Sequence, residues 1–457
     1  MQTLRHKLRS LSEFFPMMTI WGLIILLLFS LQSCSSPEPA KPDFVKVDGM
    51  KFMKGGKAYY FTGTNFWYGT YLGAPGKMGD RERLIRELDA LKANGIDNLR
   101  ILASSQQSPL NTSLNPAITT QPGTDNDSLL QGLDFLLSEM AKREMTAVVF
   151  LNNYWEWSGG MAVMTGWFDG GQFETLFNDP KAFDWSKFMN YSATFYRNEK
   201  ANAYWREYLT KIINRKNSVT GVEYKNDPTI MSWQLANEPR PGQGEDGLKH
   251  VDAYYKWIDE SSKFIKSLDS NHLVSTGSEG AAGSLDSDEI FKKAHESKYV
   301  DYVTFHLWAK NWGWFKAEKA EETYPTAEAN AISYVNRQLK VARELNKPIT
   351  MEEFGIGRDL EACMPGTPTV YRDKYYSKLF ELVADSAAAG SAIAGTNFWA
   401  WGGEAKAQHP DAKWLPGDPF MGDPPQEPQG LNSVLLSDST TLIIIRNHAE
   451  KMKALRK

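Results

Sequence analysis

Two glutamates stand where a chain could do acid–base chemistry. The run NDPTIMSWQLANEPR reads as a buried strand that ends in Asn237-Glu238-Pro239-Arg240, and the proline stops ladder pairing just where the carboxylate emerges. KPITMEEFG ends in the same way, placing Glu353 before Phe354-Gly355. Carboxylates at the ends of two different strands are what glycosidic cleavage needs, one to protonate the departing oxygen and one to attack the anomeric carbon. Glu352 competes with Glu353, because neighbours on a strand point to opposite faces and only one is expected to enter a shared site. Alternation alone does not choose between them.

The elements that must carry such a pair are legible from periodicity. From about Asp43 onward, short apolar runs begin near Ala58, Ile96, Thr146, Thr229, His272, Tyr302, Pro348 and Gly395. They alternate with amphipathic stretches such as Val251, Tyr254, Trp257, Ile258, Ser261, Phe264, Ile265 and Leu268, or Ile332, Val335, Leu339, Ala342 and Leu345, which read as helices covering a parallel sheet. Helix-to-strand links are tight, as at Asn94-Gly95 and Asn346-Lys347, whereas segments 103–125, 155–200, 308–326 and 402–437 are long. In a (β/α)8 TIM barrel the long loops lie on the C-terminal face, where active sites are built. A single α/β barrel domain over 43–457 is therefore expected, with a doubly wound open sheet as the alternative. The stretch Trp414 to Pro428 reads as a surface loop.

ANEPR after DPTIMSW, together with EEFG, resembles glycoside hydrolase family 5 and its β-mannanases, over nearly all of the chain after the N-terminal segment. The resemblance implies that Glu238 is the acid/base and Glu353 the nucleophile of a retaining enzyme acting on β-1,4-linked mannan or manno-oligosaccharides. It selects Glu353 over Glu352. Arg100 in IDNLRIL matches the family arginine that touches the nucleophile, where a fixed positive charge would keep that carboxylate ionised. Asn237 matches the asparagine that holds the sugar 2-hydroxyl, and Arg240 a residue on the leaving-group side. Asn152-Asn153-Tyr154, followed by Trp155 and Trp157, resembles the segment shaping the donor side. His306 and Trp308 stand where the family has His-x-Tyr, and an indole N–H can donate to Glu353 but cannot accept a proton as a phenol can. Trp399 resembles the platform under the reacting sugar, and Trp401, two residues on, is expected to point the same way. Each of these also has a plainer reading as a salt bridge, a turn asparagine or a core aromatic, and Trp312 and Trp314 share it.

Composition narrows the remaining classes. Of 457 residues, 42% are hydrophobic and 23% charged, ample for a core, and the net charge of -4 provides no basic field for nucleic acid. The 2 cysteines, Cys34 and Cys363, are too few for a disulfide framework or a zinc site, and no cofactor or metal is expected. The 15 tryptophans suit sugar rings as well as cores.

Arg5, Lys7 and Arg9 precede an apolar run from Met17 to Leu31 that reads as a signal peptide over 1–33. It ends in Leu31-Gln32-Ser33-Cys34, which resembles a bacterial lipobox. A lipidated Cys34, a tether over 34–42 and attachment to a cell-envelope membrane follow as expectations, against the alternative of an ordinary signal anchor. Two other kinds of function stay open at this point: another activity on the family 5 scaffold, exo-acting β-mannosidase or β-1,4-glucanase, and a silent glycan-binding lipoprotein. Retention of both glutamates argues against the second.

Overall fold

The computed structural model describes residues 43–177, 179 and 183–457; the signal-peptide and Cys34 expectations fall outside the described residues. Asp43–Lys457 forms one compact unit. At its centre is an 8-stranded sheet whose neighbours run in the order five, four, three, two, one, eight, seven, six, counting along the chain. The strands are Phe61–Asn65, Asn98–Leu102, Thr146–Phe150, Ile230–Gln234, Leu273–Ser275, Val303–Leu307, Ile349–Phe354 and Ile393–Phe398. Every pairing between them is parallel, and a bridge between Ser275 and Tyr302 joins the fifth to the sixth and brings the two edges together. This is the (β/α)8 barrel that the alternation of apolar runs predicts.

All residues of these strands are buried, as a parallel sheet covered on both faces requires. The covering helices include Arg81–Ala93, Asp127–Lys142, Glu199–Ile213, Val251–Leu268, Ala320–Leu345, Val370–Ala388 and Ser439–Ala454. The first is opened by the Asp80 side chain, which accepts from the Arg83 amide, and the third by Asn198, which accepts from that of Ala201. On Val251–Leu268 the buried stripe is Tyr254, Trp257, Ile258, Ser261, Ser262 and Ile265, nearly the one its period predicts.

Two features depart from expectation. The apolar run near Ala58 starts earlier than the barrel does: Lys46–Asp48, Lys51–Lys54 and Lys57–Ala58 form a separate antiparallel sheet. Phe52 of this sheet packs on Phe61 and Tyr302 and so covers the N-terminal end of the barrel. The stretch Trp414 to Pro428 is the partly exposed loop its composition predicts, but it is anchored. Trp414 stacks on Phe420 at 5.2 Å, and the buried Asp423 carboxylate accepts from the amides of Gly430 and Asn432 and from the Ser433 hydroxyl. Arg372 donates to the Leu431 and Ser433 carbonyls, and with Arg358 it pairs with Asp438. A polar loop held by buried charges in this way is a fixed wall, a feature that its Gly- and Pro-rich composition hides.

Candidate active site

The C-terminal strand ends surround a cavity of about 990 Å³, at the upper end of the range for small-molecule sites. Of the residues singled out from the sequence, Trp155, Asn237, Glu238, Arg240, Trp308, Glu353 and Trp399 line it. Arg100, Asn153 and His306 are fully buried beneath them, so they hold the lining groups and do not form the wall themselves.

Arg100 on the second strand is the hub. Its guanidinium donates to Glu353 Oε1 at 2.5 Å, to Asn65 Oδ1 at 3.0 Å, to Asn237 Oδ1 at 2.7 Å and to Gln234 Oε1 at 2.8 Å. A planar fork with its donors used in this way fixes the direction of the Glu353 carboxylate. Asn153 lies under Asn237: its Oδ1 accepts from Asn237 Nδ2 at 3.1 Å and from the Trp155 amide.

Glu352 and Glu353 both reach inward, against the alternation expected of a strand. The pairing of the sixth and seventh strands skips one residue, Phe305 facing Met351 and His306 facing Glu353, so Glu352 is the extra residue of a bulge. Glu353 opens on the cavity, whereas Glu352 is buried and accepts from Gln234 Nε2 at 2.6 Å.

Glu238 has a φ of 49°, a left-handed backbone that a glutamate adopts only when its surroundings impose it. Its amide donates to the Gly277 carbonyl, and Gly277 comes so close that a Cβ there would lie 1.9 Å from the Ala236 carbonyl oxygen. The turn after the fourth strand is thus pinned, and it aims the carboxylate across the mouth. One Glu238 oxygen, one Glu353 oxygen and a His306 ring nitrogen all lie within 4.8 Å of one another. Oxygens this close suit retaining cleavage, for which the carboxyls stand about 5–5.5 Å apart, and fall short of the about 6.5–9.5 Å of inverting enzymes. The His306 ring faces both carboxylates and the Arg100 guanidinium holds Glu353, so the cluster reads as acid–base machinery.

His306 Nδ1 bonds Glu238 Oε1 at 2.5 Å and lies 3.3 Å from Glu353 Oε2. Burial by itself would raise the Glu238 pKa, but the His306 hydrogen bond and charge, helped by Arg240 and the Trp155 N–H, bring it down to about 2. For His306 burial works downward, and the two carboxylates outweigh it to raise the ring to about 9. The proton that the acid step needs is therefore held by the hydrogen-bonded pair of Glu238 and His306, whose carboxyl is lowered and whose ring is raised by their contact. Glu238 can receive it along the 2.5 Å bond as it protonates a leaving oxygen, with no exchange with solvent.

The Trp308 indole does not take the place of the family phenol. Among the described residues the donors to Glu353 are Arg100 and His306, and Trp308 instead packs edge-on to Trp399 at 6.0 Å. Trp401 does not point the same way as Trp399. The eighth strand ends at Phe398, so the alternation does not continue, and the buried Trp401 donates its N–H to Glu87 at 2.6 Å. Trp157, Trp312 and Trp314 do line the cavity.

Three lining groups carried no motif. Glu279 follows the fifth strand and pairs with Arg240; burial, reinforced by the charge of Glu238, raises its pKa to about 7 against the pull of that arginine. Its place at a barrel strand end was the signal available. Glu427, on the wall after the eighth strand, is pushed up to about 8 by burial and by Asp423 and Glu353. Trp185 belongs to the long segment after the third strand. Neither of these two had any local pattern to mark it.

The proton store has a measurable consequence. His306 and Glu238 together keep one proton until pH rises through about 9, where the acid form is lost. In a His306→Gln variant the alkaline limb of kcat/KM is expected to fall by at least about two pH units, because Glu238 then titrates without an imidazolium partner. An unmoved alkaline limb would show that the proton is held elsewhere.

Comparison with known proteins agrees with this geometry. Residues 42–457 match the family model described as GH family 5 beta-mannosidase-like. A crystal structure of a glycoside hydrolase family 5 mannosidase from Rhizomucor miehei superposes with a TM-score of 0.82 and 36% identity, over 91% of this chain and 98% of that one. An endo-1,4-beta-mannanase from the same organism shares the fold at a TM-score of 0.65 and 24% identity, over 90% of this chain and 99% of that one. Mannan endo-1,4-beta-mannosidase 5 of Arabidopsis thaliana is 28% identical over 411 residues, 84% of this chain and 86% of its own length. By its motifs, its barrel and these matches, the chain belongs to glycoside hydrolase family 5, within the β-mannosidase-like group.

Proposed function

We propose that the protein hydrolyses β-1,4-mannosidic bonds in mannan-type polysaccharides and manno-oligosaccharides as a mannan endo-1,4-β-mannosidase, with net retention. The observation that carries the chemistry is the close trio of Glu238, His306 and Glu353, with Arg100 locked onto the last. In the first step Glu353 attacks the anomeric carbon and forms an ester as the glycosidic C–O bond breaks and the departing oxygen takes its proton from Glu238. In the second, Glu238 accepts a proton from water, the water oxygen attacks the same carbon, and Glu353 leaves as carboxylate. Asn237 spends one N–H on Asn153 and has the other for the sugar 2-hydroxyl. Trp399 also lines the cavity, and its buried N–H has no protein partner among the described residues.

Exo-action is a second reading, favoured by the fixed wall after the eighth strand, which brings Gln426, Glu427, Pro428 and Asn432 to the cavity. Product sizes over time from mannan and manno-oligosaccharides, beside cellulose and xylan, separate the cases. Mixed oligosaccharides support endo-cleavage and mannose alone supports exo-cleavage. Release from cellulose or xylan with none from mannan contradicts the substrate assignment.

Attachment to a bacterial envelope membrane through a lipid on Cys34 is also our proposal, resting on the Leu31-to-Cys34 motif. No helix among the described residues is long and apolar enough to cross a membrane. Undiminished lipid labelling of a Cys34→Ser variant would refute this anchor.

A further inference from the structure

The segment after the third strand builds a small structure of its own. Phe173, Phe177, Phe188 and Tyr191 form a second apolar cluster beside the main core, with Leu110, Trp155, Trp167 and Phe183 packed against it. The helix Trp185–Ala193 opens on the Asp184 side chain, which accepts from the Lys187 amide, and buries Phe188, Met189, Tyr191 and Ser192. Trp185, three and four residues before Phe188 and Met189, lies on that same stripe. Yet it is 49% exposed, and the exposed part faces the cavity that holds Glu238 and Glu353.

The indole is nonetheless held in place. Phe183 meets it at 4.8 Å and 76°, Trp155 at 5.8 Å and 76°, and Phe188 at 6.0 Å and 81°. These are edge-type contacts, and among the described residues no ring stacks parallel on it. A large apolar side chain that three aromatic neighbours fix while leaving half of it in water is unfavourable for folding alone and favourable for a flat apolar ligand face.

Position identifies which part of a ligand it would meet. Trp155 donates its N–H to Glu238 Oε2 and carries the Arg240 guanidinium over its ring at 4.8 Å. Glu238 faces the departing oxygen, so Arg240 and also Trp155, whose motif places it on the donor side, border the leaving group, and Trp185 lies one ring further from the cleavage point. The separation matters. A group bonded directly to the departing oxygen lies against Trp155, and only a ligand extended by a further unit reaches Trp185.

We propose that Trp185 is the stacking platform for the second sugar on the leaving-group side, taking the apolar face of a β-linked pyranose two units beyond the reacting one. This rests on the glycosidase reading above and adds to it where a substrate gains affinity. Binding that far from the reacting atoms appears in kcat/KM of substrates long enough to use it.

The test is kcat/KM for an aryl β-mannoside, mannobiose, mannotriose and mannotetraose with wild type, Trp185→Ala and Trp185→Phe, with thermal unfolding of each variant. Trp185→Ala is expected to lose roughly tenfold more on the tri- and tetrasaccharide than on mannobiose, as one aromatic contact is worth. Trp185→Phe should recover most of the difference. The quantity read is a ratio between substrates of one preparation, so a general loss of folded enzyme cancels. Equal losses at all chain lengths, or none, would overturn the platform. Wild type inactive on every mannoside would instead sink the mannan reading, and the same chain-length ratio, taken on whichever β-linked oligosaccharide it does cleave, still decides for or against Trp185.

Discussion

Glu353→Ala is expected to abolish cleavage of manno-oligosaccharides and activated aryl β-mannosides alike, by at least about 10⁴-fold in kcat. The adjacent glutamate cannot take over the attack. The neighbouring carboxyl of Glu352, at the bulge, is fully buried and bonded to Gln234, and it does not line the cavity. A good leaving group does not help either, because what is lost is the atom that forms the ester. The substitution also removes the 2.5 Å carboxylate partner of Arg100 and leaves it Glu352 at 3.7 Å, so thermal unfolding should be followed alongside activity. Glu352→Gln is the complementary variant. Full inactivity of Glu352→Gln with a residual, ordinary rate in Glu353→Ala would reverse the assignment made from the geometry.

Glu238→Ala should separate substrates that Glu353→Ala does not. An aryl mannoside whose phenol departs as a stable anion needs no proton, so formation of the covalent intermediate persists and only its hydrolysis, which needs a base, slows. An unactivated mannosidic oxygen must be protonated as it leaves, and here the loss should reach about 10²–10⁴-fold or more in kcat/KM. His306 cannot replace Glu238 as donor, being fully buried beneath the cavity wall. Equal losses on activated and unactivated leaving groups would argue that Glu238 holds the site together and does not transfer the proton.

The parts of this site that could be read from sequence are those governed by local rules. Proline after Glu238, the buried character of DPTIMSW and the short links before each strand all act within a few residues, and together they place two carboxylates at the mouth of a barrel. What escaped depends on pairing between distant strands. Glu352 turns inward because one residue is inserted opposite Phe305 and His306, a register shift that no property of EEFG announces. The coupling of His306 to both carboxylates escaped for a similar reason. It depends on one imidazole nitrogen reaching both carboxylates, whereas the motifs name the residues and not their spacing. Glu427 and Trp185 sit in long segments whose composition suggests mobile loops, and only the Asp423 and Asp438 bonds and the second aromatic cluster reveal them as fixed walls.

Retention by Glu353 with Glu238 as acid/base is the centre of this account, and azide rescue tests it most directly. With an activated aryl β-mannoside, azide should enter the Glu238→Ala enzyme on the face opposite the ester bond and give the β-mannosyl azide. In Glu353→Ala it should take the place of the missing carboxylate and give the α anomer. The anomeric configuration of each product, read by nuclear magnetic resonance, is the decisive measurement: opposite anomers as stated are the result expected. The same anomer from both variants, or the two anomers exchanged, would contradict the roles assigned to these glutamates.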